Sequence, residues 1–416
     1  MKNKLKWLGL FLVICLMVGM MSPVMAETYP SYDLEGIRQA SEKALTHTAS
    51  VTTNPGYENG EWEIINLNRG GKQNKSLNVL YKENLINKLK ETNGVLSKSM
   101  YTAYSKSILA LTSCGFDPTD VGGYNLLQKL AEYEKVCFQG NNGPIWALVA
   151  LDSKDYEIPE PSAGYEKTIT TRKLLVQFIL DKQLKDGGWD LRDVEGDPDM
   201  TAMALYSLAP YYKNQEKFEA LDLDMPHKTF CQKIEQGLTC IQNIQTESGG
   251  FASWGSETSE SSAQVIMCLT ELGIDPCSAA YTKNEFTPLD ALMRYYNSET
   301  GGFAHLYKGE DNGIASEQGT RALVAYLRFK DGETSFFDMS DVEEVKPEIK
   351  PYDLGDPSGD GEINATDALL DLQHVVEIST LEGEAFTAGD VDKSGTINAS
   401  DALGILQYVV GINTKF

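Results

Sequence analysis

The sequence predicts an all-α protein made of a large helical core and a small module at the C-terminus. Between Glu27 and Phe337, apolar residues recur three and four positions apart, as on amphipathic helices, and strand-like alternation is nearly absent. A glycine-glycine-aromatic string recurs in the second half of this region. Two acidic loops of twelve residues repeat near the C-terminus. These three patterns define two domains, an α-helical core over 27–338 and a module over 354–416.

Composition limits the function classes that the chain can serve. The 416 residues include 60 acidic and 36 basic side chains, a formal net charge of −24. Nucleic acids and anionic membranes are bound through clustered Lys and Arg, so neither is an expected partner. The apolar fraction of 42% is enough to fill a core and argues against disorder. We therefore expect a folded, acidic, soluble protein.

The first 26 residues have the pattern of a secretion signal. Three lysines precede an apolar run at 7–21, and Val24 and Ala26 are small residues at the positions that a signal peptidase reads. The run has 15 residues, whereas a bilayer span needs about 20. We predict cleavage before Glu27, an extracellular protein, and no membrane association of the mature chain.

Cysteine and histidine usage leaves the redox state open and predicts no zinc site. Six cysteines follow the signal segment, which permits three disulfides in a secreted chain. Several of them lie in apolar helical contexts, where a buried free thiol is equally plausible. Neither the cysteines nor the four histidines have zinc-ligand spacing.

The core is predicted to consist of paired helices. Strings at 178–189, 240–251 and 292–303 each carry an amide residue, then three residues, then Gly-Gly-aromatic; a weaker copy ends at Trp146. Glycine permits a positive φ after a helix, and the aromatic ring can pack back on that helix. Six such pairs would close into an α/α toroid, with inner helices surrounded by outer ones. Helices are expected to start near Tyr32, Glu61, Leu77, Met100, Tyr124, Pro144, Thr168, Met200, His227, Ser259, Thr287 and Ile314.

This repeated string resembles the QW motif of the prenyltransferase and squalene-oxidase repeat family. That family shares the α/α toroid with the terpenoid cyclases. The resemblance covers most of 27–337 and is clearest from Phe116 onward. It implies the fold far more specifically than any chemistry.

Residues 197–202, DPDMTA, resemble the D-x-D-D-T-A acid motif of squalene–hopene-type cyclases, in which the middle Asp protonates the substrate. Asp199 holds the middle place and is the catalytic candidate, but Met200 replaces the next carboxylate. We favour the alternative that Asp197 or Asp199 caps the following helix. A terpenoid cyclase is therefore the least expected activity. The sequence has no Asp, Cys and His set matching the zinc site of the protein prenyltransferases.

A second string, ASEQG at 315–319, is similar to the thioester sequence G-C-G-E-Q of complement-like toroid domains. The cysteine that forms the thioester is absent, which excludes that chemistry. Glu317 and Gln318 are instead expected to cap or line the inner ring.

A polysaccharide-degrading enzyme and a binding module both remain open for the core. Glycoside hydrolysis needs two carboxylates that flank the sugar bond. Aromatics and amides at the ring mouth would favour a binding or accessory module for a glycan or small ligand, whereas a tight acid pair with one raised pKa would favour an enzyme. The candidate acids are Asp190, Asp193, Asp197, Asp199, Glu257, Glu260 and Glu317, and the candidate stacking residues are Trp189, Trp254 and Tyr307.

The predicted module follows a charged linker at 339–353 and contains a duplication. Two segments offset by 34 residues agree at 13 of 23 positions, and each opens with oxygen side chains at loop positions 1, 3, 5, 9 and 12 and Gly at 6. This arrangement suits Ca²⁺, so we predict two calcium ions. The first loop supplies Asp356, Ser358, Asp360, Asn364 and Asp367 with the carbonyl of Glu362, and the second Asp390, Asp392, Ser394, Asn398 and Asp401 with the carbonyl of Thr396.

The duplication resembles a type I dockerin, by which cellulosomal proteins dock on cohesin modules of a scaffoldin. A common EF-hand ends its loop in Glu between two helices; here position 12 is Asp and no helical pattern leads into either loop. Ser358 and Ser394 stand where the family usually has Asn or Asp. The resemblance implies that either copy can face the cohesin, and it implies contacts at Ala365, Thr366, Leu372, Gln373, Ala399, Ser400, Leu406 and Gln407.

The sequence thus predicts a secreted cellulosome-type component that docks on a cohesin and takes part in polysaccharide catabolism. Its toroid core is expected to be a binding or accessory module, with a glycoside hydrolase or other polysaccharide-degrading enzyme as the alternative.

Overall fold

The computed structural model describes residues 32–345, 353–413 and 415–416, which belong to two compact units that divide after Glu344. The predicted secretion signal and residues 346–352 of the predicted linker lie outside the described residues. Both units are mostly helical. Within the described parts of the chain, each helix is too short or too polar for a bilayer span.

The first unit contains the helices that the sequence periodicity predicts, and the twelve predicted starts lie within four residues of helix starts. A short hairpin pairs Ala252 with Glu257. The elements are α1 Leu34–Val51, α2 Glu61–Arg69, α3 Lys75–Glu91, α4 Thr102–Ser113, α5 Leu127–Leu130, α6 Tyr133–Val136, α7 Asn142–Asp152, α8 Arg172–Asp181, α9 Pro198–Lys213, α10 Gln215–Glu219, α11 His227–Ile244, β1 Ala252–Ser253, β2 Ser256–Glu257, α12 Ser259–Glu271, α13 Pro288–Met293 and α14 Gly313–Asp331.

Six of these helices contact one another in a closed sequence. Helix α2 packs on α4, α4 on α7, α7 on α9, α9 on α12 and α12 on α14, and α14 packs back on α2. We call this set the ring helices. Other helices pack on one or two of its members: α1 on α2 and α14, α3 on α2, α8 on α7, α11 on α9, and α13 on α12.

The Gly-Gly-aromatic strings form the turns that lead from the surrounding helices toward the ring helices. Trp189, Phe251 and Phe303 are fully buried. The first glycine of each pair has a positive φ, for example +80° at Gly249. The amide of Gln245 donates to the carbonyl of Gly249 at 2.9 Å and to that of Tyr281 at 2.7 Å. The string therefore fixes both its own turn and the contact with the next helix pair.

Replacing Gly249 with alanine is expected to destabilise the core strongly. A Cβ there would lie 2.7 Å from the carbonyl oxygen of Phe286, in addition to the strain of a positive φ. We expect a loss of about 3 kcal/mol in the free energy of unfolding. Gly273 has a φ of +75°, but a Cβ added to it would meet no atom within 4 Å, so Gly273→Ala should cost about 1 kcal/mol. Equal losses in chemical denaturation would contradict the close-approach argument.

The core extends past the predicted boundary at residue 338. The segment 334–342, here called the closing segment, packs at the C-terminal ends of the ring helices. The backbone N–H of Met339 donates to the carbonyl of Ser153 at 2.7 Å, and that of Phe337 donates to Glu271 Oε1 at 2.9 Å. Met339 is fully buried. Residues 339–342 therefore belong to the core, although their charge is typical of a linker.

Two buried arginines hold the closing segment. Arg69 donates to the carbonyls of Phe336, Ser335 and Asp338 at 2.9–3.0 Å. Arg69 and Arg328 also bind one carboxylate oxygen each of Asp341, both at 2.6 Å. The arginines lie on α2 and α14, so the segment ties two ring helices together.

The second unit contains α15 Ala365–Val375, α16 Gly383–Gly389 and α17 Ala399–Val409. Helices α15 and α17 pack on each other around a small core that includes Ala368, Ala402 and Ile405. Helix α16 leads directly into the second loop, which corrects the expectation that no helix precedes either loop. Its sequence, GEAFTAG, is short and carries glycine at both ends, so it has no apolar periodicity.

The six described cysteines are unpaired thiols. Cys114 and Cys268 are buried in the core. Burial raises the pKa of the Cys114 thiol to about 12, so this thiol is protonated at neutral pH. The sequence left open whether these cysteines form disulfides or are free thiols, and in the structure they are free thiols.

Candidate functional sites

The two loops of the second unit share one hydrogen-bond pattern around the aspartate at position 1. The backbone N–H of Gly361 donates to Asp356 Oδ2 at 2.8 Å, and that of Gly395 donates to Asp390 Oδ2 at 2.7 Å. Glycine at loop position 6 allows this tight turn, with φ of +86° and +85°. The position-1 carboxylates are thereby oriented toward the centre of each loop.

The aspartate at position 12 closes each loop in the same way. Asp367 accepts the N–H of Ser358 at 3.1 Å and that of Asn364 at 2.9 Å. Asp401 accepts the N–H of Asp392 and Asn398 at 3.2 and 2.9 Å. Both position-12 side chains are fully buried. Backbone N–H groups thus hold the position-12 carboxylates in place within each loop.

The residue at position 9 joins each loop to its helix. Asn364 caps α15 by accepting the N–H of Thr366 at 2.7 Å, and Asn398 caps α17 through Ser400 at 2.8 Å. In each case the position-12 aspartate completes a capping box. The side chains at positions 9 and 12 therefore belong both to the loop and to the start of the helix. This explains why the loop pattern and the helix pattern are duplicated together.

The second loop gathers three carboxylates. Asp390, Asp392 and Asp401 each place an oxygen within 4.8 Å of the others. In the first loop, Ser358 stands at position 3 and donates to Asp356 Oδ1 at 2.9 Å. Burial alone would raise the pKa of Asp356, but hydrogen bonds from Ser358 and from loop N–H groups outweigh it and lower the pKa below its usual value. Ionised carboxylate oxygens in this arrangement fit a hard cation such as Ca²⁺.

Each helix that follows a loop exposes apolar side chains at equivalent positions. Leu372 and Leu406, which the sequence singled out, are exposed, as are Ala365, Thr366, Ala399 and Ser400; Gln373 and Gln407 are partly exposed. Sequence reasoning missed further matched pairs, although their identity across the 34-residue offset was a usable signal. These exposed pairs are Leu369 with Leu403, Val376 with Val410, and Ile378 with Ile412.

The core carries a second group of acidic side chains, at the N-terminal ends of α9 and α12. Asp197 caps α9, because its Oδ1 accepts the N–H of Asp199 and of Met200 at 3.0 Å. Its Oδ2 accepts the hydroxyl of Ser253 at 2.5 Å. Asp199 therefore does not cap the helix, and its buried Oδ1 has no hydrogen-bond partner among the described residues.

The carboxyl of Asp199 is hard to ionise. Burial raises its pKa, and the negative charges of Asp197 and Glu260 raise it further, against hydrogen bonds from Ser261 and Ser253, to about 6. Glu260 lies on the first turn of α12 and is fixed from both sides: His305 Nδ1 lies 2.9 Å from its Oε1, and the hydroxyl of Ser259 donates to its Oε2 at 3.0 Å. The two carboxyls thus occupy unlike environments on neighbouring ring helices.

Aromatic and amide side chains line the same ring. The rings of Trp62 and Trp146 have centroids 5.0 Å apart, and the guanidinium of Arg321 lies 4.1 Å above Trp62. Gln264 donates to Gln318 Oε1 at 2.9 Å. These side chains come from α2, α7, α12 and α14, so the ring interior is both aromatic and polar. Trp146 also contacts Phe337 of the closing segment, with ring centroids 5.9 Å apart, so the aromatic pair lies in the ring interior. We call Asp199, Glu260, Gln264 and Gln318 the ring mouth.

Several residues that the sequence proposed lie elsewhere or have other partners. Trp189 is fully buried and donates its indole N–H to the carbonyl of Ile179 at 2.6 Å, so its predicted stacking role is wrong. Glu317 is buried against Arg321 and forms an ion pair with it. Glu257 accepts the hydroxyl of Ser248 at 2.7 Å. These groups have structural partners that account for them.

Other predicted rim residues are exposed, with the exception of Asp190. Trp254 is 71% exposed at the tip of the β1–β2 hairpin, with Arg192 stacked 4.2 Å from its ring. Tyr307 is 41% exposed. Asp193 pairs with Lys182 at 3.2 Å, and Asp190 is buried beside Arg192. The sequence did not separate the buried members of this candidate set from the exposed ones.

Replacing Asp199 with asparagine is expected to stabilise the core at pH 8 and to change little at pH 4. A carboxyl whose folded pKa is raised binds its proton more tightly in the folded state, so its contribution to stability falls as pH rises from about 4 to about 6. Asparagine does not titrate and should recover about 2 kcal/mol at pH 8. Thermal unfolding at both pH values checks this, with Asp193→Asn as the exposed control. A gain of equal size at both pH values would refute the raised pKa.

Comparison with known proteins identifies the second unit. Residues 354–410 match the family model of the dockerin type I domain. Domains of this family bind calcium and dock on cohesin modules in cellulosome-type assemblies. No curated protein and no solved structure matches the chain. The C-terminal module is therefore a type I dockerin.

Proposed function

We propose that this protein is a secreted component of a cellulosome-type assembly and docks on a scaffoldin cohesin through a dockerin that holds two calcium ions. The observation that carries the proposal is the duplicated loop, in which equivalent aspartates at positions 1 and 12 accept equivalent backbone N–H groups. The calcium ligands are those expected from the sequence: Asp356, Ser358, Asp360, Asn364, Asp367 and the carbonyl of Glu362, and Asp390, Asp392, Ser394, Asn398, Asp401 and the carbonyl of Thr396.

Either copy of the duplication is proposed to face the cohesin, because the exposed apolar residues occur at equivalent positions on α15 and α17. Leu372 is 39% exposed and Leu406 is 37% exposed. We expect Leu372→Ser or Leu406→Ser alone to weaken cohesin binding only a few-fold, since the other copy remains intact. The double variant should lose binding at least a hundredfold in calorimetry. A single substitution that abolishes binding would show that one copy alone docks.

For the core, we propose an α/α toroid that binds a glycan or small ligand at the ring mouth. The closed sequence of helix contacts and the Gly-Gly-aromatic turns support the toroid. The pair formed by Trp62 and Trp146 supports binding, because both side chains are partly exposed and aromatic rings suit the apolar face of a sugar. Amides from Gln264 and Gln318 would supply hydroxyl partners.

The test is binding of the full mature protein, with calcium, to a panel of soluble polysaccharides and oligosaccharides. Trp146→Ala should weaken the binding of any ligand found at least tenfold. Phe138 is 73% exposed and belongs to no ring helix, so Phe138→Ala serves as the control and should bind normally. The absence of any glycan ligand would refute the glycan proposal for the core.

A further inference from the structure

We infer that Asp199 and Glu260 form the acid pair of a hydrolytic site at the ring mouth, which cleaves a glycosidic bond of the bound glycan. The inference goes beyond binding, and it rests on the proposed function because the same ring mouth holds the glycan. It assigns a reaction to two carboxyl groups, neither of which caps a helix.

The first argument is the placement of the pair. Asp199 and Glu260 lie on the first turns of α9 and α12, two ring helices that pack on each other. Both side chains are partly exposed, and the two are close enough for the charge of Glu260 to act on the carboxyl of Asp199. The structural task of capping α9 falls to Asp197, which leaves Asp199 without a role in holding the helix. The charges of Asp197 and Glu260 oppose its ionisation, and acids in such surroundings are typical of functional sites.

The second argument is independent of the acids and points to a ligand. Gln264 lies one turn after Glu260, on the same face of α12. Its side chain is 8% exposed. The Oε1 of Gln264 has no hydrogen-bond partner among the described residues. Buried polar atoms are rarely left without partners, so the interior is arranged for hydroxyl groups or water.

The two carboxyls are suited to different steps. Asp199 keeps a proton more readily than an ordinary aspartate and donates it to the bridging oxygen of the glycosidic bond. The bond between the anomeric carbon and that oxygen breaks, and its electron pair stays on the oxygen. A water molecule adds to the anomeric carbon and gives a proton to the carboxylate of Glu260. Exchange with solvent then returns a proton to Asp199 and removes one from Glu260.

His305 is a positioning residue in this scheme. Its Nδ1 lies 2.9 Å from Glu260 Oε1. The hydroxyl of Ser259 holds the other oxygen at 3.0 Å. Together they fix the orientation of the carboxylate without contacting the glycan.

The experiment is release of reducing ends from the polysaccharide panel by the full mature protein with calcium. Asp199→Asn and Glu260→Gln should each lower kcat/KM at least a hundredfold, as expected for a lost general acid or base, while the Kd for the same polysaccharide changes less than threefold. Asp193→Asn, at an exposed rim acid that pairs with Lys182, should keep full activity. Thermal unfolding of each variant confirms that it is folded.

His305 is tested by rescue. His305→Ala should lower kcat with little change in KM, and His305→Asn, which restores a donor near Glu260, should recover much of the loss. Equal activity of the two variants would refute the positioning role.

The outcomes separate this inference from the proposed function. Glycan binding without release of reducing ends would overturn the hydrolytic site and leave the binding proposal intact. No glycan binding at all would overturn both. Release that persists in Asp199→Asn would overturn the assignment of the acid, and turnover of a terpenoid that is lost in Asp199→Asn would overturn the assignment of the substrate class.

Discussion

Removal of calcium is expected to unfold the dockerin and abolish cohesin binding. The module buries only a few apolar side chains, among them Ala368, Val391, Ala402 and Ile405, and a core of this size contributes little stability by itself. The free energy of calcium binding therefore becomes free energy of folding. In excess chelator, calorimetry with a cohesin should show no binding. The helical circular dichroism signal of the full protein should fall by the amount that the helices of the module contribute.

Substitution at the two position-1 aspartates is expected to have the same effect in the presence of calcium. Asp356→Ala with Asp390→Ala removes a carboxylate from each loop and also leaves the Gly361 and Gly395 N–H groups without their acceptor. Glu384→Ala removes an exposed acid from α16 outside the loops and should bind cohesin normally. Cohesin binding that survives in chelator, or in the double variant, would show that the module folds without the metal.

Loss of the Arg69 side chain is expected to be the most damaging single change in the core. Arg69→Ala removes the donors to three carbonyls of the closing segment and leaves Asp341 with one fewer partner. Asp341 is 36% exposed and keeps its pair with Arg328, so the loss comes mainly from the carbonyls left without a donor, at about 1–3 kcal/mol each. Chemical denaturation should show this loss. Limited proteolysis should also cut the closing segment sooner than in the wild type.

Arg38 provides the matched control. It also pairs with an aspartate, Asp331, but both side chains are exposed at the surface. Exposed pairs contribute little because solvent screens them. Arg38→Ala should therefore leave the unfolding transition unchanged, and similar losses in the two variants would contradict the role assigned to the buried arginine.

The sequence predicted those features that depend on local spacing. Helix starts such as Glu61, His227 and Ser259 were placed to the residue, because the apolar period of a helix is visible over a few neighbouring residues. The loops at Asp356 and Asp390 were located for the same reason, since the glycine at position 6 and the oxygen side chains occur at fixed offsets. Local chemistry is sufficient for both.

Features that depend on tertiary packing were not predictable. The sequence offered Trp189 both as a ring that packs back on its own helix and as a stacking residue, and only the packed core decides between them, because its indole donates to Ile179 of α8. Met339 was assigned to the linker because its neighbours are charged, and nothing in those charges shows that Arg69 and Arg328 lie opposite them on two other helices. The different roles of Asp197, which caps the helix, and Asp199, whose Oδ1 has no partner among the described residues, depend on the positions of Ser253 and Glu260.

The closing segment also makes the two ends of the ring of helices different. It contacts α2 and α14 through the two arginines, α12 through Glu271, the end of α7 through Ser153, and α9 through the ring of Phe337, whose centroid is 5.2 Å from that of Tyr206. Within the described residues, one end of the ring is therefore spanned by polypeptide, whereas the other carries Asp199 and Glu260. A polymer cannot be threaded through such a ring, so a glycan would enter as a free terminus or a side branch, and its length beyond the entrance would remain outside.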